Sequence, residues 1–503
     1  MTYSRRRFLR TAVAASAGAL SSGALEALFA RAAGAKGLGT KGRSPADSRS
    51  WQAAGYGPLL ADPAGLLDLP AGFRYRALSM AKYGTTSDPR FSEKLSNGDF
   101  VPCLHDGMGA FAGPAGMTVL VRNHEVGLKF GPGVDPERKR PYDPLSNGGT
   151  TTLWVNAERG LVRSFASLSG TVRNCAGGVT PWGSWLTCEE CTHMPGKADP
   201  VNHDRTPLVS KRHGYVFEVD AAARDLVEPR PILGMGRFYH EACAVDPVTG
   251  YVYLTEDRDD GVLYRYRPDV LANGKRRPAE MRVGDLAKGG VLEALRIEGQ
   301  PRAKTQNWEN PLGFTPGKRW RVAWVKVPNA DPDMDMERDP LDQESDLLKR
   351  RGRTARASTR AQAFAAGAAQ FARVEGIVYG RRALYWCATN GGMAGAGQVW
   401  KFDLIGAEIS LVVEPDDLSK LDGPDNIVVA PNGDLIVCED GAAQNFVVGI
   451  TPAGKLYRLA RNAYGEIELA GACFSPDGRT MFVNIQEPGI TFAVWGPWGK
   501  REG

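Results

Sequence analysis

Apolar and polar positions along this chain fall into short strand-like runs separated by clusters of Gly, Asp, Asn and Pro. Examples are "MTVLVRNHE" at 117–125, "TTTLWVNAERGLVRSFASLSG" at 150–170 and "GIVYGRRALYWCATNGG" at 376–392. Runs of this length, rich in β-branched and aromatic residues and bounded by turn formers, predict strands rather than helices. Three stretches, 244–257, 427–440 and 474–486, share one grammar. Each has an apolar strand, a D-P, P-N-G or P-D-G turn, a second apolar strand, and then acidic or amide residues. Repeated units of that kind predict the inner strands of β-propeller blades, in which radial packing buries both faces of each small sheet. A large β-sandwich is the competing arrangement. The propeller has a consequence the sandwich lacks: its inner strands converge on one axis, so repeated carboxylates at their ends meet in space.

One segment breaks the rhythm. Residues 328–372 are charged and then Ala-rich, with Phe364 and Phe371 as apolar anchors, and predict a charged and helical arm inserted between blades. The N-terminus differs again. Ser4-Arg5-Arg6-Arg7-Phe8-Leu9-Arg10 precedes a mild Ala/Gly/Ser-rich stretch and Ala30-Arg31-Ala32, a small-x-small cleavage pattern. This resembles a twin-arginine export signal over residues 1–32, followed by a linker over 33–50 and the propeller domain over 51–503. It implies recognition by the twin-arginine translocase and a periplasmic or secreted protein without a stable membrane span.

Composition changes the picture little. With 503 residues, 43% of them hydrophobic, the chain can bury a sizeable core, and its 60 Gly and 33 Pro suit many turns. Lys and Arg total 62 against 57 Asp and Glu, and no basic stripe carries interleaved aromatics, which excludes nucleic acid as an expected partner. Nothing in the sequence calls for an obligate protein partner, so a monomer is expected. In a chain this long disulfides are optional, and several of the eight cysteines sit in apolar strand-like contexts as buried thiols.

The candidate chemistry lies at the strand ends. "GSWLTCEECTH" at 183–193 crowds Cys188, Glu189, Glu190, Cys191 and His193. Asn123-His124-Glu125, His240-Glu241, Glu256-Asp257, Arg373-x-Glu375, Asp425-Asn426 and Glu439-Asp440 occupy comparable places. One exposed acidic pair is usually a solvated turn. Recurring oxygen ligands at equivalent positions instead call for cations such as Ca2+, and a thiolate among them points to a softer or redox-capable metal. Cys188-x-x-Cys191 has no second pair at zinc-finger spacing and no βαβ context for a redox role. Neither a G-x-S-x-G elbow nor a G-x-x-x-x-G-K-[ST] loop is present.

Motifs in order along the chain resemble the PhoX-type alkaline phosphatases. They include "HDGMGAF" at 105–111, "VRNHE" at 121–125, "NCAGGVTPWGSWLTCEE" at 174–190 and "RFYHEACAVDP" at 237–247. "YLTEDR" at 253–258, "FARVEG" at 371–376, "GPDNIVV" at 423–429 and "FVNIQEPG" at 482–489 complete the series. The resemblance implies an all-β, six-bladed propeller with inserted loops and a short helical arm. It also implies a mixed iron (Fe3+) and calcium (Ca2+) centre that hydrolyses small phosphoesters. On that resemblance Cys188 is the iron thiolate, and Glu125, Glu241 and Glu375 are iron carboxylates. Glu189, Glu190, Glu256, Asp425, Asn426 and Glu439 are calcium candidates, and Arg373 binds the substrate phosphate. Clustered cations would supply both charge neutralisation and a nucleophile, which fits the missing serine motif. One departure is Glu487, where the family's last motif usually has His. The alternatives are a calcium-dependent propeller lactonase or esterase, with no metal role for the cysteine, and a non-catalytic periplasmic binding propeller.

Overall fold

The computed structural model describes residues 55–81, 93–127, 131–135, 137–195, 209–309, 313–332 and 358–499. The expected signal over 1–32 and linker over 33–50 lie outside the described residues, as does the charged first part of the insert. Three N-terminal strands come first: β1 (Leu59–Leu60), β2 (Leu67–Pro70) and β3 (Arg74–Met80). Blade one is β4 (His105–Ala112), β5 (Thr118–His124), β6 (Gly148–Val155) and β7 (Leu161–Thr171). Blade two is β8 (Asn174–Val179), β9 (Ser184–Glu189) and β10 (Val216–Asp220). Blade three is β11 (His240–Val245), β12 (Val252–Glu256), β13 (Tyr264–Pro268) and β14 (Gly290–Ile297). After β15 (Arg319–Lys326) and a short helix α1 (Thr359–Ala365), blade four comprises β16 (Val374–Gly380), β17 (Ala383–Ala388), β18 (Gln398–Asp403) and β19 (Glu408–Val413). Blade five is β20 (Pro424–Val429), β21 (Leu435–Glu439), β22 (Phe446–Ile450) and β23 (Leu456–Asn462). The last strands are β24 (Leu469–Phe474), β25 (Thr480–Ile485) and β26 (Ile490–Trp495).

The first strand of each blade packs beside that of the next in the cycle β4, β8, β11, β16, β20, β24 and back to β4. That closed cycle makes six blades, although the hydrogen-bonded sheets number five. The difference lies in β15. It pairs with β14 through Ile297↔Val322 and with β19 through Trp320↔Ile409, fusing blades three and four into one nine-stranded sheet. Blade six is completed from the other end of the chain, because β3 pairs with β26 along Met80↔Ile490 to Arg74↔Trp495. β2 similarly extends blade five through Leu67↔Asn462. Both N-terminal additions lock the ring shut.

The core lies between blades rather than in one central mass. Trp386 and Trp400 stack with centroids 6.2 Å apart, and Phe371 meets both rings edge-on at 5.5 Å. Such aromatic packing contributes about 0.5–1.5 kcal/mol per pair beyond area burial. Phe371 is fully buried as an anchor, whereas Phe364 is half-buried on α1, which is far shorter than the Ala-rich stretch suggests. Ser358 caps α1 by accepting from the Ala361 N–H, and Arg360 docks the helix by pairing with Glu256 and Asp260. All eight cysteines are buried free thiols.

Candidate metal centre

Each inner strand begins with the same defect. Two residues of the inner strand face one residue of its neighbour, the signature of a β-bulge. The slips fall between His105 and Met108, Asn174 and Gly177, and His240 and Cys243. In blades four to six they fall between Val374 and Ile377, Pro424 and Ile427, and Ala470 and Cys473. The first bulged residues are therefore Asp106, Cys175, Glu241, Glu375, Asp425 and Gly471. Five of the six carry a metal-binding side chain. The second bulged residues are Gly107, Ala176, Ala242, Gly376, Asn426 and Ala472, mostly small. The reason is steric: a Cβ on Gly376 would lie 2.4 Å from the Asp425 carbonyl oxygen, and one on Gly107 2.6 Å from Ala176 Cα. Small residues let neighbouring strands close up, and the close approach draws the ligand side chains together. Ligand atoms of Glu241, Glu375 and Asp425 all lie within 4.8 Å of one another.

A second tier sits at the ends of the second strands and the corresponding loops: Glu125, Glu190, Asp257, Thr389, Asp440 and Gln486. Their backbone N–H groups donate to the carbonyls of Leu104, Arg173, Tyr239, Arg373, Gly423 and Glu468 at 2.8–3.2 Å, the same bond in every blade. These acceptors form a third tier, each lying just before its blade's bulge. Two of its members are cations. Arg173 donates to Glu125 at 2.8 Å and also pairs with Glu190, while Gln486 reaches the other oxygen of Glu125 at 2.7 Å. Arg373 holds Asp257 side-on, with Nε and Nη2 at 2.8 and 3.1 Å, and approaches Glu375 at 2.5 Å. Both arginines have φ of 50°, a left-handed backbone that non-glycine residues adopt at a cost and that recurs at functional sites.

The tiers bring Glu125, Glu190, Glu241, Arg373, Glu375 and Asp425 together, as the strand-end pattern anticipates. Four other candidates face elsewhere, for a geometric reason. Side chains alternate along a strand, so in Glu189-Glu190, Glu256-Asp257 and Glu439-Asp440 the first member turns into the blade and the second toward the axis. Glu189 accepts from His213, Val172, Gly214 and Tyr215 at 2.6–3.1 Å, filling both oxygens. Glu256 accepts from Tyr264 and Arg360 at 2.7 and 3.1 Å. Glu439 accepts the N–H groups of Asp422 and Phe446, each at 2.9 Å. Cys188 lies opposite the blade-two bulge, where blades four and five have Cys387 and Cys438, and it packs with Leu186, Val216 and Cys243 in an apolar cluster. The thiol at the axis is Cys175. Burial pushes it well above its usual range, and Glu241, Glu190, Asp106 and Glu125 add to the rise. Asn426 occupies a small-residue seat beside Asp425, and its Oδ1 has no hydrogen-bond partner among the described residues.

Sequence reasoning named Asp257 and Asp440 among the strand-end acids without assigning them a role, and did not pick out Asp106, Cys175, Glu468 and Arg173. A signal existed for the first two, since Asp106-Gly107 and Cys175-Ala176 repeat the ligand-then-small pattern of Glu241-Ala242 and Glu375-Gly376. Beyond the ring, the axis turns apolar in a cavity of about 330 Å³ lined by Met108, Val179, Val245 and Ile427.

Electrostatics at the axis are one-sided. Burial, then repulsion from neighbouring carboxylates, raises Glu241, Asp425 and Glu468 well above the ordinary range. The same two causes raise Asp106. Burial pushes Glu375 up to about 8 against the pull of Arg373. Arg173 and Arg373 offset only part of this charge. Buried carboxylates so close together ionise jointly only with cations between them, and the donor set of oxygens with one thiol suits metal ions.

A closed propeller whose axis gathers carboxylates, a thiol and two arginines defines a class: propellers with a site on the axis suited to cations. The family model "Alkaline phosphatase PhoX" matches residues 54–489. The chain belongs to the PhoX alkaline phosphatase family. Among solved structures it is similar to Pseudomonas fluorescens PhoX in complex with vanadate, a transition-state analogue. That likeness has 19% identity and a TM-score of 0.62, covering 88% of this chain and 98% of that one. A Xanthomonas campestris gluconolactonase matches at 12% identity and a TM-score of 0.34, over 79% of this chain and 97% of that one. A search of curated proteins found no match.

Proposed function

We propose that the axial centre binds iron through Cys175 and calcium among the surrounding carboxylates, and that with these ions the protein hydrolyses small phosphoesters. One observation carries this reading: five of six equivalent bulges begin with a carboxylate or thiol. When bound, such cations neutralise phosphoryl charge and generate a nucleophile from water near neutral pH. The chain's own residues do the rest. Asp106, Glu241, Glu375 and Asp425 supply hard oxygen ligands, and Cys175 supplies the soft one. Arg373 is fixed by Asp257 beside Glu375, placing a guanidinium where a phosphoryl group would approach. The vanadate held by the Pseudomonas fluorescens protein is consistent with a phosphoryl-transfer site in this chain. We assign the protein to the periplasm or the secreted fraction, reached through the twin-arginine translocase, as a monomer.

The test is elemental analysis of protein purified from the exported fraction, beside release of p-nitrophenol from p-nitrophenyl phosphate. Iron and calcium together with turnover support the reading. Cys175→Ser should lose iron and activity, whereas Cys188→Ser should keep both. The opposite pattern restores Cys188 as the ligand.

A further inference from the structure

We propose that Arg258 binds an oxyanion of the substrate's phosphate, an inference that rests on the phosphoesterase reading above. Arg258 directly follows Asp257 in the second tier, and its carbonyl oxygen accepts the Arg373 N–H at 2.8 Å. The two arginines are thus tied backbone to backbone, and Arg373 pairs with Glu375 of the centre. The Arg258 guanidinium carbon sits over the face of Tyr239, 3.1 Å from its ring centroid. Tyr239 itself is fixed, because its carbonyl accepts the Asp257 N–H and its backbone bridges to Glu190. Stacking on the ring face holds the guanidinium plane in one orientation.

What that plane presents is unusual. Arg258 is 2% exposed, and its Nη1 reaches the Asp257 carbonyl oxygen at 3.3 Å. Its Nε and Nη2 have no hydrogen-bond partner among the described residues. Those two N–H groups form the side-on edge of the guanidinium, the edge that grips a carboxylate or phosphate with two parallel bonds. Next door, Arg373 spends that same edge on Asp257. Arg173 spends its own on Glu125 and Glu190. Of the three arginines, Arg258 alone keeps the edge open. A buried cation with two aligned, unsatisfied donors is costly unless something anionic completes it. One water offers a single acceptor atom, whereas a phosphate offers two oxygens at the right spacing.

The experiment uses the metal-loaded protein and its Arg258→Met and Arg258→Lys variants. It reads KM for p-nitrophenyl phosphate, the competitive inhibition constant of inorganic phosphate, metal content and Tm. Arg258→Met should raise both constants about tenfold to a hundredfold, the usual weight of a hydrogen bond to a charged group, with metal content unchanged. Arg258→Lys keeps the charge and loses the fork, so it should fall between Met and wild type. If Met costs metal or folding, Lys decides alone. Constants within twofold of wild type in a variant that keeps its metals would make Arg258 a stacked structural residue and overturn the proposal. Wild-type protein that neither hydrolyses p-nitrophenyl phosphate nor binds inorganic phosphate would overturn the phosphoesterase reading, and this proposal with it.

Discussion

Glu256 and Asp257 are adjacent, acidic and buried, yet they do different work because a strand turns alternate side chains to opposite sides. Glu256 turns into the blade, where Tyr264 and Arg360 use both of its oxygens. Asp257 turns toward the axis and holds Arg373. Glu256→Gln should therefore destabilise the fold by about 1.5–3 kcal/mol, the cost of removing one of the two charged partners of buried Arg360, and thermal unfolding would show it. Asp257→Asn should cost less in Tm, since Arg373 is part-exposed and keeps Glu375, while lowering kcat/KM by about a hundredfold because Arg373 loses its fixed position. If the two variants exchange phenotypes, the facing of the pair is wrong. The sequence shows that these positions are acidic, but not which member points inward. That depends on the phase of the strand after its bulge, which a run of letters does not carry. The same blindness bears on Cys188 and Cys175, which meet across one bulge from opposite strands, so the choice of Cys175 as the proposed thiolate rests on strand pairing.

At the scale of elements, the strands and turns were legible because each apolar run and each Gly or Pro cluster acts locally. The bulge was not, because it is defined by pairing with a partner strand. Its sequence trace is only a ligand followed by a small residue. Gly376 shows what that small residue does. A methyl group there would lie 2.4 Å from the Asp425 carbonyl oxygen and 2.9 Å from Asn426 Cα, both backbone atoms that cannot swing aside. Gly376→Ala should cost about 1–3 kcal/mol in denaturant unfolding, as overpacking does, and should weaken metal binding by spreading Glu375 from Asp425. Unchanged metal affinity in a destabilised protein would separate packing from ligand spacing. The completion of blade six by β3 was equally hidden, since its partner β26 lies at the far end of the chain.

The whole molecule closes a ring around charge that it cannot neutralise alone. Glu375 has its pKa raised from 4.5 to about 8 with burial as the main cause, and Glu241, Asp425 and Glu468 shift in the same direction. A carboxyl whose pKa is raised in the folded state binds a proton there that the unfolded chain has already released. Its contribution to stability is complete below the unfolded value and is lost as pH rises through the folded one. Metal-free protein should accordingly lose Tm between about pH 5 and about pH 8.5. Cations bind the ionised form, so metal-loaded protein should hold its Tm over that range. The gap between loaded and chelator-treated protein should thus be small in acid and widen toward alkaline pH, where ions instead of protons hold the inner strands together. Unfolding scans with and without chelator across that range check this directly. A gap that stays constant with pH would mean that the cations stabilise the ring through some other contact than these carboxylates.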